Sequence, residues 1–244
     1  MRFEGTHVDA EAEADLRLYD FFPSQEWQLI GDSITPDGDH SGRSSDSHGH
    51  PESAGRVEGR IRIGDRVIDI ENGLGYRDHG FGPRPHTIFR AARWHARTVG
   101  PELSYSLITM HAEDGSFHRM GYLMLDGKRE PIRDVHTVNS TLGDGYSSVG
   151  GWTKVLLEDG RTIRIDVDSI DGVVTSTHLD NGGPGSSPAG IEVLSIPTWN
   201  GHHGICDFNM IDNPHRAEQE VSHTFLANCD TGLSHRAVDL SWVR

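Results

Sequence analysis

The sequence predicts an all-β protein of antiparallel strands, arranged as a barrel or a sandwich. Residues 56–63 alternate strictly between apolar or small residues and charged ones, as in a strand with one buried face. Asp-Gly pairs recur at 114–115, 126–127, 159–160 and 171–172, between runs of β-forming residues. Because Asp-Gly supplies the positive φ that tight hairpin turns need, these pairs predict hairpins. Strands at such spacing are typical of antiparallel barrels and sandwiches.

The first predicted hairpin joins residues 56–63 to residues 66–70 through Gly64-Asp65. Evidence for helices is thin, since only residues 8–18, with their Ala-Glu repeat, allow one short helix. The remaining predicted strands cover residues 103–111, 117–125, 152–157, 161–167, 173–179, 191–196, 203–211 and 217–225.

Two segments lack the pattern of strands. Residues 32–53 are polar and rich in Gly, Ser, Asp and His, so we expect a mobile, solvated loop there, and residues 181–190 form a shorter loop. We therefore predict an N-terminal segment, 1–54, followed by a β-barrel domain, 55–244. A division of that domain near 140–150, into two abbreviated barrel halves, stays open.

Charge and hydropathy exclude several classes of function. The net charge of −15 argues against a nucleic-acid groove or an anionic membrane surface as partner. No stretch approaches the roughly 20 apolar residues of a membrane span, and no apolar run follows the start, which predicts a cytoplasmic location. Cys206 and Cys229 form no redox or zinc motif and are expected as reduced thiols, with a disulfide left open. A homodimer is also left open.

The most unusual stretch is residues 73–84, GLGYRDHGFGPR, which holds four glycines. The glycines indicate a bend or bulge where the strand leaves its ladder. Arg77, Asp78 and His79 then lie where the backbone is re-aimed, a favoured place for reactive groups. The alternative is structural: Asp78 pairs with an arginine of a neighbouring strand and locks a barrel corner.

This stretch and its surroundings resemble the lipocalin-like carotenoid-hydratase (hydroxyneurosporene-synthase) type of protein. The likeness is close from residue 56 to about residue 138, including a strand with Trp94-His95 and a later Gly121-Tyr122. Relatives typically show Arg-Asp-His-Ser-Trp-Gly-x-Arg, whereas this chain has Gly80 and Phe81 in place of the serine and the tryptophan. The resemblance implies lipocalin-like barrel halves and hydration, cyclisation or isomerisation of apolar substrates.

The chemistry of the residues fits that implication. Protonating an unactivated alkene needs a strong acid, and a carboxylic acid buried in an apolar cavity has a raised pKa and keeps its proton. Asp78 is the candidate acid, with His79 as its hydrogen-bond partner or as the base that positions water. Arg77 and Arg84 either pair with Asp78, bond to carbonyls at the bend or hold a substrate carboxylate. The candidate substrate-binding residues are Tyr76, Arg77, Phe81, Arg84, Trp94, His95, Tyr105, Trp199 and His202.

Histidine spacing supplies a rival interpretation. His48-Gly49-His50 resembles the His-x-His of a cupin metal site, with Glu52 or Glu58 as carboxylate ligands. The segment is polar, however, and no correctly spaced glutamate and later histidine complete the cupin pattern, so we predict neither a metal nor another cofactor. Nucleophile-elbow, P-loop and dinucleotide motifs are absent from the sequence.

The sequence therefore predicts a cofactor-independent acid–base enzyme, a hydratase, isomerase or cyclase. Its expected substrate is an apolar small molecule such as a terpenoid, steroid or polyketide. One alternative is a non-enzymatic carrier of a lipid-like ligand, in which Asp78 is structural. The second alternative is a cupin-like metalloenzyme.

Overall fold

The computed structural model describes residues 2–7, 10–31, 49–81, 89–112, 117–142, 148–176 and 189–212. These residues contain strands and turns, and within those ranges no helix is available to cross a membrane. The strands are β1 Arg2–His7, β2 Ala10–Asp20, β3 Gln28–Leu29, β4 Glu52–Ile63, β5 Arg66–Asp78, β6 Phe89–Gly100, β7 Leu103–Ala112, β8 Phe117–Leu125, β9 Lys128–Arg129, β10 Ile132–Thr141, β11 Ser148–Leu157, β12 Thr162–Ser176, β13 Ala189–Trp199, β14 His202–His203 and β15 Ile205–Asp212.

The strands form two antiparallel sheets. The small sheet has the order β1-β2-β4-β5. The larger sheet has the order β10-β11-β12-β13-β15-β6-β7-β8-β3, with β14 paired to β13 and β9 paired to β8. Short turns join β8 to β9 and β11 to β12 at two of the predicted Asp-Gly pairs, 126–127 and 159–160, whereas the pair at 114–115 lies outside the described residues.

The larger sheet curls into a half-barrel whose inner face encloses the main hydrophobic core. One hydrogen bond shows that the two ends of this sheet approach each other. The Arg119 Nε on β8 donates to the Val135 carbonyl oxygen on β10 at 3.1 Å. This confirms the predicted all-β, antiparallel, lipocalin-like fold. The inner core includes Val99, Leu103, Tyr105, Leu107, Leu123, Val135, Val155, Leu157, Ile163 and Ile165.

The outer face of the larger sheet packs against the small sheet and the segment that follows β2. Ala54 of β4 lies in one hydrophobic cluster with Tyr122 of β8, Ala92 of β6 and Trp27. Tyr76 of β5 packs against the same cluster. The candidate site is built at this junction between the two sheets.

Two local expectations are wrong. The Ala-Glu repeat that allows a short helix lies in β2, which pairs with β4 from Ala12–Ile63 to Asp20–Gly55. Asp171-Gly172 makes no hairpin, since β12 runs through it and only shifts register between Ser169 and Asp171. A bulge absorbs the extra residue there without ending the strand.

The polar loop predicted at 32–53 does not extend over its last residues. Residues 32–48 lie outside the described part of the chain, but His50, Glu52 and Ser53 are buried and β4 begins at Glu52. The boundary predicted at 54/55 falls inside β4. The predicted strand 217–225 and Cys229 lie outside the described residues, whereas Cys206 is a buried free thiol.

Candidate functional site

Two carboxylates face each other at one end of the small sheet. The register pairs Glu52, the first residue of β4, with Asp78, the last residue of β5. The Glu52 side chain is fully buried, while that of Asp78 is 39% exposed. Like charges directly opposite each other on neighbouring strands repel, so this pair requires a positive charge or a proton between its members.

His50 supplies that group. Its Nε2 lies 2.5 Å from Asp78 Oδ1 and 2.9 Å from Glu52 Oε1. The imidazole is stacked on the Trp27 indole with ring centroids 3.9 Å apart. The His50 backbone N–H donates to Glu26 Oε2 at 2.8 Å, so both backbone and ring are held. We call His50, Glu52 and Asp78 the carboxylate–histidine cluster.

The surroundings of His50 favour its charged form. Burial by itself lowers the pKa of this imidazole, but the hydrogen bonds to Asp78 and Glu52, together with their charges, outweigh burial and raise it above 6.5. This raised pKa favours a protonated His50 between the two carboxylates. A proton shared in this way is available for transfer.

Two tyrosines extend the cluster across the junction of the sheets. The Tyr76 hydroxyl donates to Glu52 Oε2 at 2.6 Å and lies 2.5 Å from the Tyr122 hydroxyl. Burial, followed by the charge of Glu52, raises the pKa of both phenols. Since Tyr76 uses its proton on Glu52, Tyr122 is the donor in the contact between the two tyrosines.

Trp27 is itself held by the larger sheet. The Ser106 hydroxyl on β7 accepts hydrogen bonds from Trp27 Nε1 at 3.1 Å and from Trp94 Nε1 at 2.9 Å. One buried serine thus orients the indole that stacks on His50 and a second, half-buried indole beside the site. Aromatic rings around a proton donor suit an apolar substrate, because they bind apolar groups and stabilise a developing cation.

Arg77 points away from the cluster. Residues next to each other on a strand face opposite sides of the sheet, and Arg77 donates to Ser24 Oγ at 2.5 Å and to Ser53 Oγ at 3.3 Å. Its guanidinium also lies 3.9 Å from Asp20. The structure therefore gives Arg77 partners other than Asp78.

The glycine-rich stretch is described as far as residue 81. The predicted bulge lies next to Gly73, where the register shifts between the pairs Val57–Gly73 and Gly59–Ile70, but β5 stays in its ladder to Asp78. His79 is exposed, and its ring meets the Phe81 ring edge-on at a centroid distance of 6.0 Å. The partner of Asp78 described above is thus His50, and Arg84 lies outside the described residues.

His95 and Tyr105 lie on the inner face of the larger sheet, so the thickness of the sheet separates them from Asp78. The His95 ring packs on the Phe208 ring at 4.0 Å, and burial, with the charges of Arg97 and Arg93, lowers its pKa well below the usual value. Arg97 lies over the Tyr105 ring at 4.9 Å.

Trp199 and His202 are also remote from the cluster. They pair with each other at the turn between β13 and β14. Trp199 packs against the inner core of the half-barrel, and His202 is exposed. Of the predicted binding residues, the structure therefore brings Tyr76 and Trp94 to the junction of the two sheets.

A cavity of about 270 Å³ adjoins Tyr122. It lies between β3, β8 and the start of β10, and Arg129 is part of its lining. Arg129 donates to the Glu26 carbonyl oxygen at 2.8 Å, next to the segment that holds His50. Its lining consists of Gln28, Leu29, Ile30, Gly121, Tyr122, Arg129, Glu130, Pro131 and Ile132.

The carboxylate–histidine cluster is also able to hold a divalent cation. One imidazole nitrogen and two carboxylate oxygens lie within 4.8 Å of one another, and such N/O sets suit zinc, iron or manganese. Of the cupin-like set that the sequence suggests, His50 and Glu52 belong to this cluster. His48 lies outside the described residues, and Glu58 pairs with Arg56 further along β4.

Sequence reasoning undervalued His50 and Glu52 and overlooked Tyr122 as a site residue. The available signal was the spacing His50-x-Glu52, which places two polar side chains on one face of an extended segment. The polar composition of residues 32–53 hid it, because the buried end of that segment is short. Tyr122 stands in a strand of core residues and shows no such signal.

The comparison with family models decides the family. Residues 1–214 match the model described as a domain of unknown function, DUF7064. The chain belongs to this family. No curated protein matches it.

Solved structures resemble this DUF7064 chain at low sequence identity. CghA in complex with Sch210972 has a TM-score of 0.50 and 13% identity over 83% of this chain and 61% of its own. A candidate AttH protein from Nitrosomonas europaea has a TM-score of 0.51 and 13% identity over 87% and 64%. Kievitone hydratase from Nectria haematococca has a TM-score of 0.43 and 10% identity over 88% and 65%. The first two likenesses show the fold, and this chain spans less than two thirds of either protein.

Proposed function

We propose that this DUF7064 protein is an acid–base enzyme of the lyase or isomerase type that acts on an apolar small molecule. The observation that carries the proposal is the placement of His50 Nε2 between Glu52 and Asp78. General acid–base catalysis needs groups that can give and take a proton. A titratable histidine next to a half-exposed carboxylate provides them.

The roles follow from exposure. Asp78, the most exposed member of the cluster, accepts a proton from substrate carbon or delivers one to it. His50 supplies or stores that proton, and buried Glu52 keeps the imidazole charged and oriented. Tyr76 donates to Glu52, and Tyr122 donates to Tyr76 in turn, so the buried carboxylate is not left without a donor.

The apolar surroundings support the class of substrate. Trp27 and Trp94 lie beside the cluster, and the chain shares its fold with CghA, whose crystal structure includes Sch210972. Hydration, dehydration, double-bond isomerisation and cation-initiated cyclisation all use proton transfer to or from carbon. Each is therefore within reach of this set of residues.

The test measures deuterium incorporation. The protein is incubated in D₂O with a panel of terpenoid, steroid and polyketide alkenes and ketones, and mass spectrometry records carbon-bound deuterium. We expect incorporation by the wild type and a loss of about 10²–10⁴-fold in Asp78→Asn, the range of one general acid or base. Asp69→Asn is the matched control, because Asp69 is an exposed aspartate of the same strand, bonded to Arg60.

Two results would contradict the proposal. Full activity of Asp78→Asn excludes Asp78 as the acid or base. Panel members that bind to the wild type without gaining deuterium favour the carrier alternative.

A metal-dependent enzyme is the second candidate, because the three ligand atoms of the cluster lie close enough together for one cation. The chelator experiment in the Discussion separates it from the first.

A further inference from the structure

A row of side chains on the outer face of the larger sheet runs from Tyr122 to a second carboxylate. Tyr122 pairs with Ser106, Ser106 with Ala96, and Ala96 with Asp207 of β15. Directly paired residues in an antiparallel sheet point to the same face. Asp207 therefore shares the face that packs against the small sheet, with only small side chains between it and Tyr122.

Asp207 lies beside another acid. Burial, a hydrogen bond with Glu192 of β13, and the charges of Glu192 and Asp78 raise the pKa of Asp207. The Val193 backbone N–H, which donates to Asp207 Oδ1 at 3.3 Å, opposes this only partly. The titratable groups that act on Asp207 are thus Glu192 on β13 and Asp78 on β5, and its paired residues, Ala96 and Leu194, are uncharged.

A buried polar atom lies next to this pair. Asn209 is two residues further along β15, on the same face, and pairs with Trp94 of β6. It is 3% exposed, and in the described part of the chain its Oδ1 has no hydrogen-bond partner. A buried acceptor without a donor is costly, so a ligand that brings a hydroxyl to this atom is stabilised.

The neighbouring surface is apolar and open. Leu194, which pairs with Asp207, is 56% exposed, and Val173, which pairs with Glu192, is 57% exposed. Trp94, which pairs with Asn209, is half-buried and packs against the hydrophobic cluster that contains Trp27 and Tyr122. An apolar molecule lying there would present its polar group to Asp207 and Asn209.

We propose that Asp207 and Glu192 hold a proton for the hydroxyl group of an apolar alcohol whose O–H donates to Asn209 Oδ1. This inference rests on the acid–base function proposed above. It assigns a second catalytic group and narrows the substrate to an alcohol and the alkene that remains after loss of water.

The reaction balances without a further reagent. In the dehydration direction, Asp207 gives its proton to the hydroxyl oxygen, the C–O bond breaks and water leaves with the bonding electron pair. The Asp78 carboxylate takes a proton from the adjacent carbon, and the electrons of that C–H bond form the double bond. Exchange with solvent returns one proton to Asp207 and removes one from Asp78. Hydration is the reverse sequence.

The first test follows ionisation without turnover. The protein is labelled with ¹³C at the aspartate and glutamate carboxyls and titrated by NMR. We expect one aspartate in the wild type to titrate well above the ordinary aspartate range, to vanish in Asp207→Asn and to titrate at lower pH in Glu192→Gln. The matched control is Asp171→Asn, since Asp171 is an exposed aspartate that pairs with Leu194 on the same sheet. The inference is overturned if no aspartate carboxyl of the wild type titrates above the ordinary range. It is also overturned if the high-titrating signal is still present in Asp207→Asn.

The second test uses an alcohol and its dehydrated analogue as probes. Quenching of tryptophan fluorescence measures binding of α-terpineol and of limonene. We expect the alcohol to bind about fivefold more tightly than the alkene, the ratio that one neutral hydrogen bond typically supplies. Asn209→Leu and Asp207→Asn should remove this preference, and Asp171→Asn should keep it. Equal binding by the wild type, or a preference that survives both site variants, overturns the inference.

The two proposals fail in different ways. A normal carboxyl titration together with intact deuterium incorporation overturns only the role of Asp207. The other outcome is that the Asp207 carboxyl titrates at the raised pH, but no panel member gains deuterium. That result contradicts the acid–base function and, with it, the catalytic role of Asp207 and Glu192.

Discussion

The hydroxyl groups of Tyr76 and Tyr122 lie 2.5 Å apart and join the two sheets at the site. Tyr76 belongs to β5 of the small sheet, and Tyr122 belongs to β8 of the larger one. Because Tyr76 also donates to Glu52, this contact connects the carboxylate–histidine cluster to the wall of the half-barrel. The geometry of the acid–base group thus depends on how the sheets pack.

A double-mutant cycle measures that connection. Tyr76→Phe should lower the free energy of unfolding by about 1–3 kcal/mol, because it removes a donor from fully buried Glu52. Tyr122→Phe should cost about 1 kcal/mol, and the two changes should be non-additive by at least about 0.5 kcal/mol in urea unfolding. Tyr19→Phe, at an exposed tyrosine, is the control. Additive effects would show that the two hydroxyls are not coupled.

The raised pKa of His50 predicts a pH dependence of stability. A histidine whose pKa is higher in the folded than in the unfolded protein stabilises fully below the unfolded value of 6.5 and loses this contribution as pH rises through the folded value. Urea unfolding from about pH 6 to about pH 9 should show the wild type losing stability relative to His50→Gln as pH rises.

The raised pKa of Asp207 also makes the folded protein less stable as pH rises. Because the wild type and His50→Gln both retain Asp207, the difference in stability between them reports the contribution of His50. His202→Gln, at an exposed histidine, should leave the profile of the wild type unchanged. A constant difference between the wild type and His50→Gln across this range would refute the assignment.

Chelation separates proton chemistry from metal chemistry at the cluster. If His50 holds a proton between the carboxylates, dialysis against EDTA should leave deuterium incorporation within about twofold of the untreated protein. Loss of activity after dialysis, restored by Zn²⁺ or Mn²⁺ and accompanied by metal in elemental analysis, would favour the metalloenzyme. The three ligand atoms within 4.8 Å make this comparison necessary.

The glycine next to Tyr122 is predicted to be sensitive to substitution. Gly121 has φ +143°, and a Cβ there would overlap the Ser106 carbonyl oxygen on β7. Gly121→Ala should therefore push β8 from β7 and lower stability by about 3 kcal/mol, with changed fluorescence of the two indoles that Ser106 holds.

Gly127→Ala is the matched control for this change. Gly127 also has positive φ, at +72°, but nothing lies within 4 Å of the added atom. It should cost only about 1 kcal/mol, from backbone strain. Equal effects of the two changes would contradict the proposed clash.

Local sequence patterns were sufficient to predict most of the strands, and two turns show where such patterns succeed and fail. Asp126-Gly127 adopts positive φ at both residues, at 49° and 72°, and links β8 to β9. Asp171-Gly172 carries the same dipeptide, yet β12 continues through it because pairing with β13 holds both sides of the bulge. Local turn propensity predicts a bend, but neighbouring strands decide whether the chain reverses there.

The candidate site was only partly predictable for a related reason. Asp78 stood out through its glycine-rich neighbours, whereas His50 and Glu52 lie in a separate segment that reads as a polar loop. They reach Asp78 because β4 and β5 pair in the register that sets Glu52 opposite Asp78. Predicting this partner requires the register and the position of the Trp27 ring as well as the residue types.

Taken alone, the sequence determined the all-β class, several of the hairpins and the choice of Asp78 as a candidate site residue, because strand alternation, turn chemistry and glycine clustering are local properties. Only the tertiary structure decided that Asp78 meets His50 and Glu52, and that His95 and Tyr105 face the other side of the sheet. The physical reason is that burial, charge pairing and pKa depend on atoms brought together by sheet register and by the packing of two sheets. Neither is encoded within a short window of sequence.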